Sequence, residues 1–303
     1  MTPVLVIAGP TASGKSRLAL DLAAARRGTV INADSMQVYR ELRILTARPG
    51  AVEMERAPHR LYGILSAAEA CSAARWRALA VAAIEEAQSE GRLPILVGGT
   101  GLYLKALFEG LADIPPIPSA VREAARARHR ELGGEAFRAE LARRDPDSAA
   151  RLAAGDTQRL IRAWEVVEAT GRPLPVWQKA GAAEKTGYAY RTILVMPPRD
   201  ALYAACDARF DAMVAAGALD EVRALMALGL DPALPAMKSL GVRELARHLA
   251  GEGSLEEAGE KARQATRNYA KRQTTWFRHQ LAADLVLEGP DSALVEAVLP
   301  PDC

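Results

Sequence analysis

The stretch GPTASGKS at residues 9–16 follows directly on the apolar run VLVIA at residues 4–8. A short apolar run that ends at Gly and Pro is typical of a buried strand. The eight residues after it have the spacing of a phosphate-binding loop, in which curled backbone amides and the N-terminus of the next helix hold an anion. The residues predicted to bind a phosphate or diphosphate are Gly9, Pro10, Thr11, Ala12, Ser13, Gly14, Lys15 and Ser16.

The last two residues of this loop carry its side-chain chemistry. Lys15 would place a positive charge on the outer phosphate, and Ser16 would offer its hydroxyl to a magnesium ion that arrives with the diphosphate. We therefore expect Mg²⁺ as a cofactor. The loop alone leaves open whether it holds the group that is transferred, as in a kinase, or a leaving group.

Further apolar runs indicate a parallel sheet. Strand patterns at residues 29–33, 93–101 and 190–198 alternate with helical periodicity, and residues 284–289 could form a last edge strand. Alternating strands and helices favour right-handed crossovers and a sheet that is covered on both faces. We predict an α/β fold of the P-loop NTPase-like, nucleotide-kinase-like class, with helices flanking a parallel sheet.

The strand pattern is interrupted between the third and fourth predicted strands. Residues 113–119, DIPPIPS, are rich in proline and cannot run inside a sheet, and residues 120–170 show helical periodicity only. We predict an all-helical insertion domain at residues 113–188. The catalytic core would then consist of residues 1–112 and 189–303.

Two polar side chains follow predicted strands. Asp34 comes directly after the second strand, and Thr100 lies in the glycine-rich VGGTGLY segment after the third. Ligands of open α/β sheets bind at the carboxyl ends of the strands, so Asp34 is a candidate base or metal ligand. A turn or capping role for Asp34 and tight turn packing for Thr100 remain equal alternatives. The third strand lacks a following Asp, which weakens a plain nucleotide-hydrolase interpretation.

Helical segments add candidate anion-binding side chains. The segment GDTQRLIRAWEV at residues 155–166 places Gln158, Arg159 and Arg162 on one helix face, which suits phosphates and base edges. A solvated helix face explains the same spacing. Arg209 could clamp a diphosphate with its planar guanidinium group, or it could be an ordinary surface arginine.

A long helix is predicted near the end of the chain. Ser254 and Glu257 form a capping-box signature, and helical spacing continues to about residue 279. Its interleaved basic and aromatic residues fit an RNA contact, although such aromatics more often lie in the core and such charges are more often solvated. The basic residues of this stripe are Arg263, Arg267, Lys271 and Arg278.

Composition excludes several classes of protein. The net charge of +2 is too small to indicate a nucleic-acid partner by itself, so a basic surface must be local. Cys71, Cys206 and Cys303 lack disulfide or zinc-site spacing, and the four histidines are scattered, which fits a reducing compartment. No apolar stretch approaches the length of a membrane span. We expect a cytoplasmic monomer without a membrane partner.

Taken together and in this order, the motifs GPTASGKS, ADSMQVYR, TARP, VGGTGLY, LGVREL and TRNYAKRQTTWFR identify a family. From about residue 4 to residue 281 the chain resembles the tRNA dimethylallyltransferases, also called tRNA isopentenyltransferases. The resemblance implies a kinase-like fold whose helical insertion binds the anticodon stem-loop of tRNA. It also implies transfer of a dimethylallyl group from dimethylallyl diphosphate to the exocyclic amine of the adenosine 3′-adjacent to the anticodon, in tRNAs that read codons beginning with U.

The resemblance also implies roles for individual residues. Asp34 matches the family's general base, while Thr11 and Arg209 match residues at the diphosphate, so these three form the predicted catalytic set. The loop residues Lys15 and Ser16 match positions around the diphosphate and its magnesium ion. The predicted tRNA-binding residues are Asp34, Ser35, Met36, Gln37, Thr100, Arg122, Gln158, Arg159, Leu160, Ile161 and Arg162.

The chain departs from the family pattern at four positions. Leu45 stands where the family usually has Gly, Arg60 and Gly63 replace a His and an Asp, and Cys71 replaces an aromatic residue. None of these departures alters the catalytic set, so they concern local packing and the geometry of the substrate loop.

Three other functions are compatible with parts of the sequence. A small-molecule or nucleoside-monophosphate kinase would share the loop and Asp34, but it would not need the insertion. A prenyltransferase acting on free adenine nucleotides would not need it either. A non-catalytic RNA-binding module would have no use for Lys15 and Asp34 together.

Overall fold

The computed structural model describes residues 3–180 and 186–298 of the chain. The chain divides into two compact units, one made of Met1–Leu107 with Thr186–Cys303, the other of Phe108–Lys185. The helical insertion predicted at residues 113–188 overlaps the second unit. Cys303 lies outside the described residues.

The first unit is built on a parallel sheet of six strands in the order β3-β2-β4-β1-β5-β6. The strands are β1 Val4–Ala8, β2 Gly28–Asn32, β3 His59–Arg60, β4 Leu93–Gly98, β5 Tyr190–Val195 and β6 Leu285–Leu287. The four predicted inner strands and the predicted edge strand are therefore present. The two-residue β3 was not predicted, because His59 and Arg60 show no apolar run.

Helices surround this sheet and also build the second unit. The helices that accompany the sheet in sequence are α1 Lys15–Ala25, α2 Ala51–Arg56, α3 Ala73–Ser89, α4 Gly101–Glu109, α9 Arg199–Ala215, α10 Ala218–Ala227, α11 Val242–Leu249, α12 Leu255–Gln280 and α13 Ser292–Val298. Those of the second unit are α5 Ser119–Ala142, α6 Pro146–Arg151, α7 Thr157–Thr170 and α8 Leu174–Lys179. The segment before and within α8 is dense in Gly and Pro, a composition that favours a loop, yet residues Leu174–Lys179 form a helix. Pro173 and Pro175 occupy the beginning of α8, where proline is tolerated.

Gly28 follows α1 but does not end it, although glycine often ends a helix. The helix ends at Ala25, and Arg27 with a φ of 49° is the residue in the left-handed region. Gly28 instead begins β2, where an added Cβ atom would lie 2.7 Å from Ile95 Cδ1 and 2.9 Å from Ala23 Cα. The missing side chain therefore lets helix and sheet approach closely.

Strand register brings three strand ends to one edge of the sheet. Ala8 at the end of β1 pairs with Gly98 at the end of β4, and Asn32 at the end of β2 pairs with Val97. Every residue of these three strands is buried, as expected for a parallel sheet covered on both faces. The loops that follow β1, β2 and β4 therefore start side by side.

The second unit has an apolar core of its own. Phe137, Leu160 and Trp164 are buried together in it, with smaller residues from α5, α6 and α7 around them. Helix α5 is interrupted at Gly133, whose φ of 72° is in the left-handed region. Within the described part of the chain, no helix is long and apolar enough to span a bilayer.

Trp76 of α3 joins this helix to the end of β2. The side chain is fully buried, its Nε1 donates a hydrogen bond to the backbone oxygen of Asn32 at 2.9 Å, and its ring stacks on Tyr103 with centroids 4.5 Å apart. A buried indole with a satisfied N–H contributes both apolar area and a directed bond. Trp76 therefore fixes the strand end from which Asp34 emerges.

The substitution Trp76→Phe should lower the free energy of unfolding by about 1–3 kcal/mol, because it removes a buried hydrogen bond and leaves a smaller ring. Denaturant unfolding of the purified protein measures this change. Tyr188→Phe is the matched control, since its hydroxyl contacts only the exposed carboxylate of Glu85 at 3.4 Å among the bonds described, and we expect a change below about 0.5 kcal/mol. Equal stability of the two variants would contradict the role given to Trp76.

Candidate active site

The loop of residues 9–16 lies between β1 and α1, as its sequence predicts. Gly14 has a φ of 87° and immediately precedes α1, so the backbone curls back at the N-terminus of the helix. Ala12 also has a positive φ of 63°. Gly9 has no room for a side chain, since an added Cβ would lie 2.5 Å from the backbone oxygen of Val195. This is the geometry that points successive amides at an anion.

Two polar groups of the loop are buried and ready for an anion. Lys15, the first residue of α1, donates a hydrogen bond from Nζ to the backbone oxygen of Pro10 at 3.0 Å. The pKa of Lys15 is lowered to about 8, mainly by burial and to a lesser extent by the charge of Arg209, while the carboxylate of Asp34 opposes the shift. The hydroxyl of Ser13 is buried without a hydrogen-bond partner among the described residues. Both features fit a loop whose partner is a bound anion.

Thr11 is held from two sides. Its backbone N–H donates to Oε1 of Gln273 at 2.8 Å, and its Oγ1 accepts a hydrogen bond from Nη2 of Arg209. Nε2 of Gln273 in turn donates to the backbone oxygen of Gly99 at 2.7 Å. The amide of Gln273 therefore ties the loop after β1 to the loop after β4.

Gln273 was not predicted, although the sequence carries a signal for it. The inward face of α12 carries Ala262, Thr266, Ala270, Gln273 and Phe277, all of them buried. A glutamine on an otherwise small and apolar helix face is a buried amide that needs partners. Its position alone could have marked it as a structural link.

Asp34 is fixed by its neighbours in the chain. Its N–H donates to Oδ1 of Asn32 at 2.8 Å, and Nδ2 of Asn32 donates back to the backbone oxygen of Asp34 at 2.9 Å. Oδ1 of Asp34 accepts from the backbone N–H of Met36 at 2.9 Å. Among the described residues Oδ2 has no hydrogen-bond partner. The turn role and the base role are thus compatible, because the turn uses one carboxylate oxygen only and Asp34 also lines the cavity described next. Asn32 was not predicted.

A cavity of about 330 Å³ brings the predicted catalytic set together. Thr11, Asp34 and Arg209 all line it, with Ser35 and Met36 beside Asp34. Burial lowers the pKa of Arg209, and Cys206 and Asp34 counteract the effect. The cavity thus places a carboxylate, a guanidinium group and the phosphate-binding loop around one space.

The remaining wall of the cavity is largely apolar. Leu45, Phe210, Met213 and Leu240 contribute side chains to it. Tyr269 of α12 also lines it, and burial together with the negative charge of Asp34 raises the pKa of this hydroxyl. Tyr269 therefore stays neutral near neutral pH.

Thr100 and Gln37 bind protein groups rather than facing outward. Oγ1 of Thr100 accepts from the backbone N–H of Ser35 at 2.9 Å and lies 3.2 Å from the Ser35 hydroxyl. Nε2 of Gln37 donates to the backbone oxygens of Thr46 and Ala47, both at 2.9 Å, and Gln37 is buried. Their predicted tRNA contacts remain predictions, and the observed bonds show that both side chains organise loops.

In the second unit, three of the predicted tRNA-binding residues are exposed on α7. They are Gln158, Arg159 and Arg162. Arg159 forms an ion pair with Asp156 at 2.8 Å, and Arg162 lies 3.5 Å from Glu165. These intrahelical pairs reduce the free positive charge on this face.

The other predicted tRNA-binding residues of the second unit differ in how far they are buried. Leu160 is fully buried in the apolar core of the unit, and its predicted tRNA contact remains a prediction. Ile161 is half-buried and packs against the same core, whereas Arg122 on α5 is exposed. The alternation of exposed and buried residues follows from the helical period.

The predicted basic stripe on α12 is only partly available. The capping box of Ser254 and Glu257 and the helix itself are confirmed. Arg263 and Arg267, however, pair with acidic residues, namely Asp207, Asp211 and Glu260. Lys271 and Arg278 are exposed. The aromatic Trp276 packs close to Gly101, where an added Cβ would lie 2.4 Å from the indole ring.

The four departures from the family pattern have local explanations. Gly63 has a φ of 61°, and a Cβ there would lie 1.9 Å from Nη1 of Arg48, so glycine suits this position. Arg60 forms an ion pair with Glu86 at 3.1 Å. Leu45 is buried in the cavity wall. Cys71 accepts a hydrogen bond from Tyr103 through its backbone oxygen, and it is a free thiol.

The donor groups fit a magnesium ion that is held mainly by a substrate. In the described parts of the chain, no three His, Cys, Asp or Glu side chains converge on one point. Ser16 is exposed at the start of α1. Mg²⁺ keeps several water ligands and uses few protein ligands when phosphate oxygens are available.

Comparison with known proteins identifies the family. The model of the IPP transferase family matches residues 37–280. A tRNA dimethylallyltransferase from Rhodospirillum centenum is 64% identical over 282 residues, covering 93% of this chain and 90% of the relative. Another from Nitrobacter hamburgensis is 60% identical, covering 91% and 88% of the two chains.

Solved structures agree with the sequence relatives. The full-length tRNA isopentenylpyrophosphate transferase from Bacillus halodurans is similar with a TM-score of 0.70 and 34% identity, covering 98% of this chain and 94% of that one. A eukaryotic dimethylallyltransferase acting on tRNA has a TM-score of 0.82 at 27% identity, with 98% and 78% coverage. The chain described here therefore belongs to the IPP transferase family.

Proposed function

We propose that this protein transfers a dimethylallyl group from dimethylallyl diphosphate to the exocyclic amine of the adenosine 3′-adjacent to the anticodon of tRNA, releasing diphosphate. One observation carries the proposal. Asp34 lines the same cavity as Thr11 and Arg209, so a base and an anion-binding loop meet at one space. Relatives that are 64% and 60% identical to this chain are tRNA dimethylallyltransferases, which supports the proposal.

The loop would hold the leaving group. Negative charge develops on the diphosphate as the allylic carbon–oxygen bond breaks, and preorganised donors stabilise charge that appears in the transition state. Lys15, Arg209 and the loop amides are such donors. The bond between Arg209 and Oγ1 of Thr11 keeps the guanidinium group at the loop.

Asp34 would activate the nucleophile. The exocyclic amine of adenine is a poor nucleophile because its lone pair is delocalised into the ring. A carboxylate within hydrogen-bond reach can take a proton from the amine as the new carbon–nitrogen bond forms. Oδ1 of Asp34 is already bonded to the N–H of Met36, so Oδ2 is the oxygen available to the amine.

Magnesium would be bound together with the diphosphate. The hydroxyl of Ser16 would be its protein ligand, and water and phosphate oxygens would complete the coordination. When bound, the ion would neutralise part of the charge on the leaving group.

The adenosine has to leave its stack to reach the cavity. Extrusion costs a few kcal/mol and less in a loop than in a duplex. Exposed Arg122, Gln158, Arg159 and Arg162 of the second unit would contribute RNA contacts that offset this cost. We also propose that the two substrates enter a tunnel from opposite sides. The protein would act as a monomer in the cytoplasm.

The kinase alternative has the same loop and the same Asp34, so an experiment has to separate the two. The protein is incubated with unmodified tRNA, dimethylallyl diphosphate and Mg²⁺, and the digested nucleosides are analysed by mass spectrometry. A parallel reaction contains ATP and a nucleotide panel. A prenylated adenosine supports the proposal, and phosphoryl transfer without prenylation refutes it.

Replacing Asp34 by Asn should lower kcat by about 10²–10⁴-fold, because the amide cannot accept the proton. The affinity for an anticodon hairpin should change little, since Oδ1 of the amide can still accept from Met36. Single-turnover kinetics and a binding titration measure the two quantities. Asp220→Asn is the control, because it makes the same chemical change at a carboxylate that is 81% exposed and does not line the cavity. Nearly full turnover by the Asn variant would contradict the assignment.

The lowered pKa of Lys15 makes diphosphate binding dependent on pH. Lys15 is charged below about pH 8 and loses its charge as the pH rises through that value, so affinity for dimethylallyl diphosphate should fall by up to roughly tenfold between pH 7 and pH 9. Calorimetric titration of the wild type and Lys15→Met measures this effect. In Lys15→Met only the ligand still titrates, so the affinity of this variant should depend less on pH. Identical pH profiles of the two proteins would overturn the role of Lys15.

A further inference from the structure

One carboxylate of α10 is bound by the backbone of a distant loop. Oε1 of Glu221 accepts hydrogen bonds from the N–H groups of Arg43 and Ile44 at 2.6 and 2.7 Å, and Oε2 accepts from Leu45 at 2.9 Å. The bonded residues are separated by 176 to 178 positions in the chain. Hydrogen bonds to an ionised acceptor are stronger than neutral ones. Three consecutive amides therefore converge on one charged group.

The loop that Glu221 binds forms part of the cavity wall. Leu45 and Thr46 both line the cavity, and Leu45 is 7% exposed. A Cβ placed on Gly241 would lie 3.1 Å from Leu45 Cδ2 and 3.2 Å from Phe210 Cε2, so these two side chains sit beside each other. The position of the loop backbone thus determines the apolar surface next to Asp34 and Arg209.

Other bonds of the loop come from nearby in the sequence. Gln37 binds the backbone oxygens of Thr46 and Ala47, and Oγ1 of Thr46 donates to the backbone oxygen of Leu42 at 2.7 Å. These bonds shape the loop but do not fix it to α10. Among the side-chain hydrogen bonds described, those of Glu221 provide that attachment.

We infer that Glu221 is a positioning residue, whose carboxylate holds the backbone of residues 43–45 and thereby keeps Leu45 in the wall of the reaction cavity. The effect of Glu221 on catalysis rests on the proposed function, whereas its effect on the position of the loop does not. Glutamine keeps one acceptor oxygen, but it turns an N–H₂ group toward an amide of the loop. A carboxylate is therefore the group that this arrangement requires.

Two variants and a neighbouring control test the inference. Glu221→Ala removes all three bonds and Glu221→Gln retains part of them. Asp220→Asn is the control, because Asp220 is 81% exposed and pairs with Arg223 on the same helix. Circular dichroism and a thermal scan establish that each variant is folded, and Glu221→Gln decides the question if the Ala variant is not.

The first measurement is limited trypsin digestion followed by mass spectrometry. Arg43 is exposed, and Arg48 precedes Pro49, a bond that trypsin resists. We expect cleavage after Arg43 to be at least roughly tenfold faster in Glu221→Ala than in wild type, with Glu221→Gln between them, because local opening controls the cut. Equal cleavage of all four proteins would overturn the inference.

The second measurement separates KM from kcat. Loss of the loop position should raise KM for dimethylallyl diphosphate by roughly tenfold in Glu221→Ala while kcat changes less than about threefold, since Asp34, Lys15 and Arg209 are retained. A lower melting temperature with unchanged KM would show a merely structural role and refute positioning. Absence of prenyl transfer by the wild type would refute the proposed function, and the digestion would still decide the role of Glu221.

Discussion

The register of the parallel sheet is the constraint on which the site depends. Because Ala8 pairs with Gly98 and Asn32 with Val97, three strands end together at one edge. The phosphate-binding loop, Asp34 and the glycine-rich turn after β4 therefore start from neighbouring points without any long connection. A carboxylate that faced the same atom as the anion-binding loop would repel the anion that the loop holds. Under the proposed function, their side-by-side placement would allow the loop to hold the leaving group while Asp34 faces the nucleophile.

Buried polar side chains convert this rough placement into a defined geometry. The amide of Gln273 bonds the N–H of Thr11 and the oxygen of Gly99, and Asn32 closes the turn that carries Asp34. A buried amide with both ends satisfied is stable only in one arrangement of its partners. Burial lowers the pKa of both Lys15 and Arg209, and the charge of Arg209 adds to the shift of Lys15, so a bound anion would stabilise both cations.

The sequence was sufficient for features that depend on neighbours in the chain. Apolar runs predicted the inner strands, the spacing of Gly and Lys predicted the loop, and Ser254 with Glu257 predicted the start of α12. The family assignment from ordered motifs is also confirmed. Long-range bonds were not predictable in this way: Gln273 reaches Thr11 across 262 positions, and Glu221 reaches Arg43 across 178. Burial was not predictable from the motif either, since Leu160 lies in the apolar core of the second unit.

A crystal structure of the complex with a non-reactive thio-analogue of dimethylallyl diphosphate and an unmodified anticodon hairpin tests the central claim most directly. The account predicts diphosphate oxygens within about 3 Å of the loop amides and of Arg209, with the adenine amine about 3 Å from Oδ2 of Asp34. A diphosphate bound away from the loop, or an amine that faces a group other than Asp34, would contradict it.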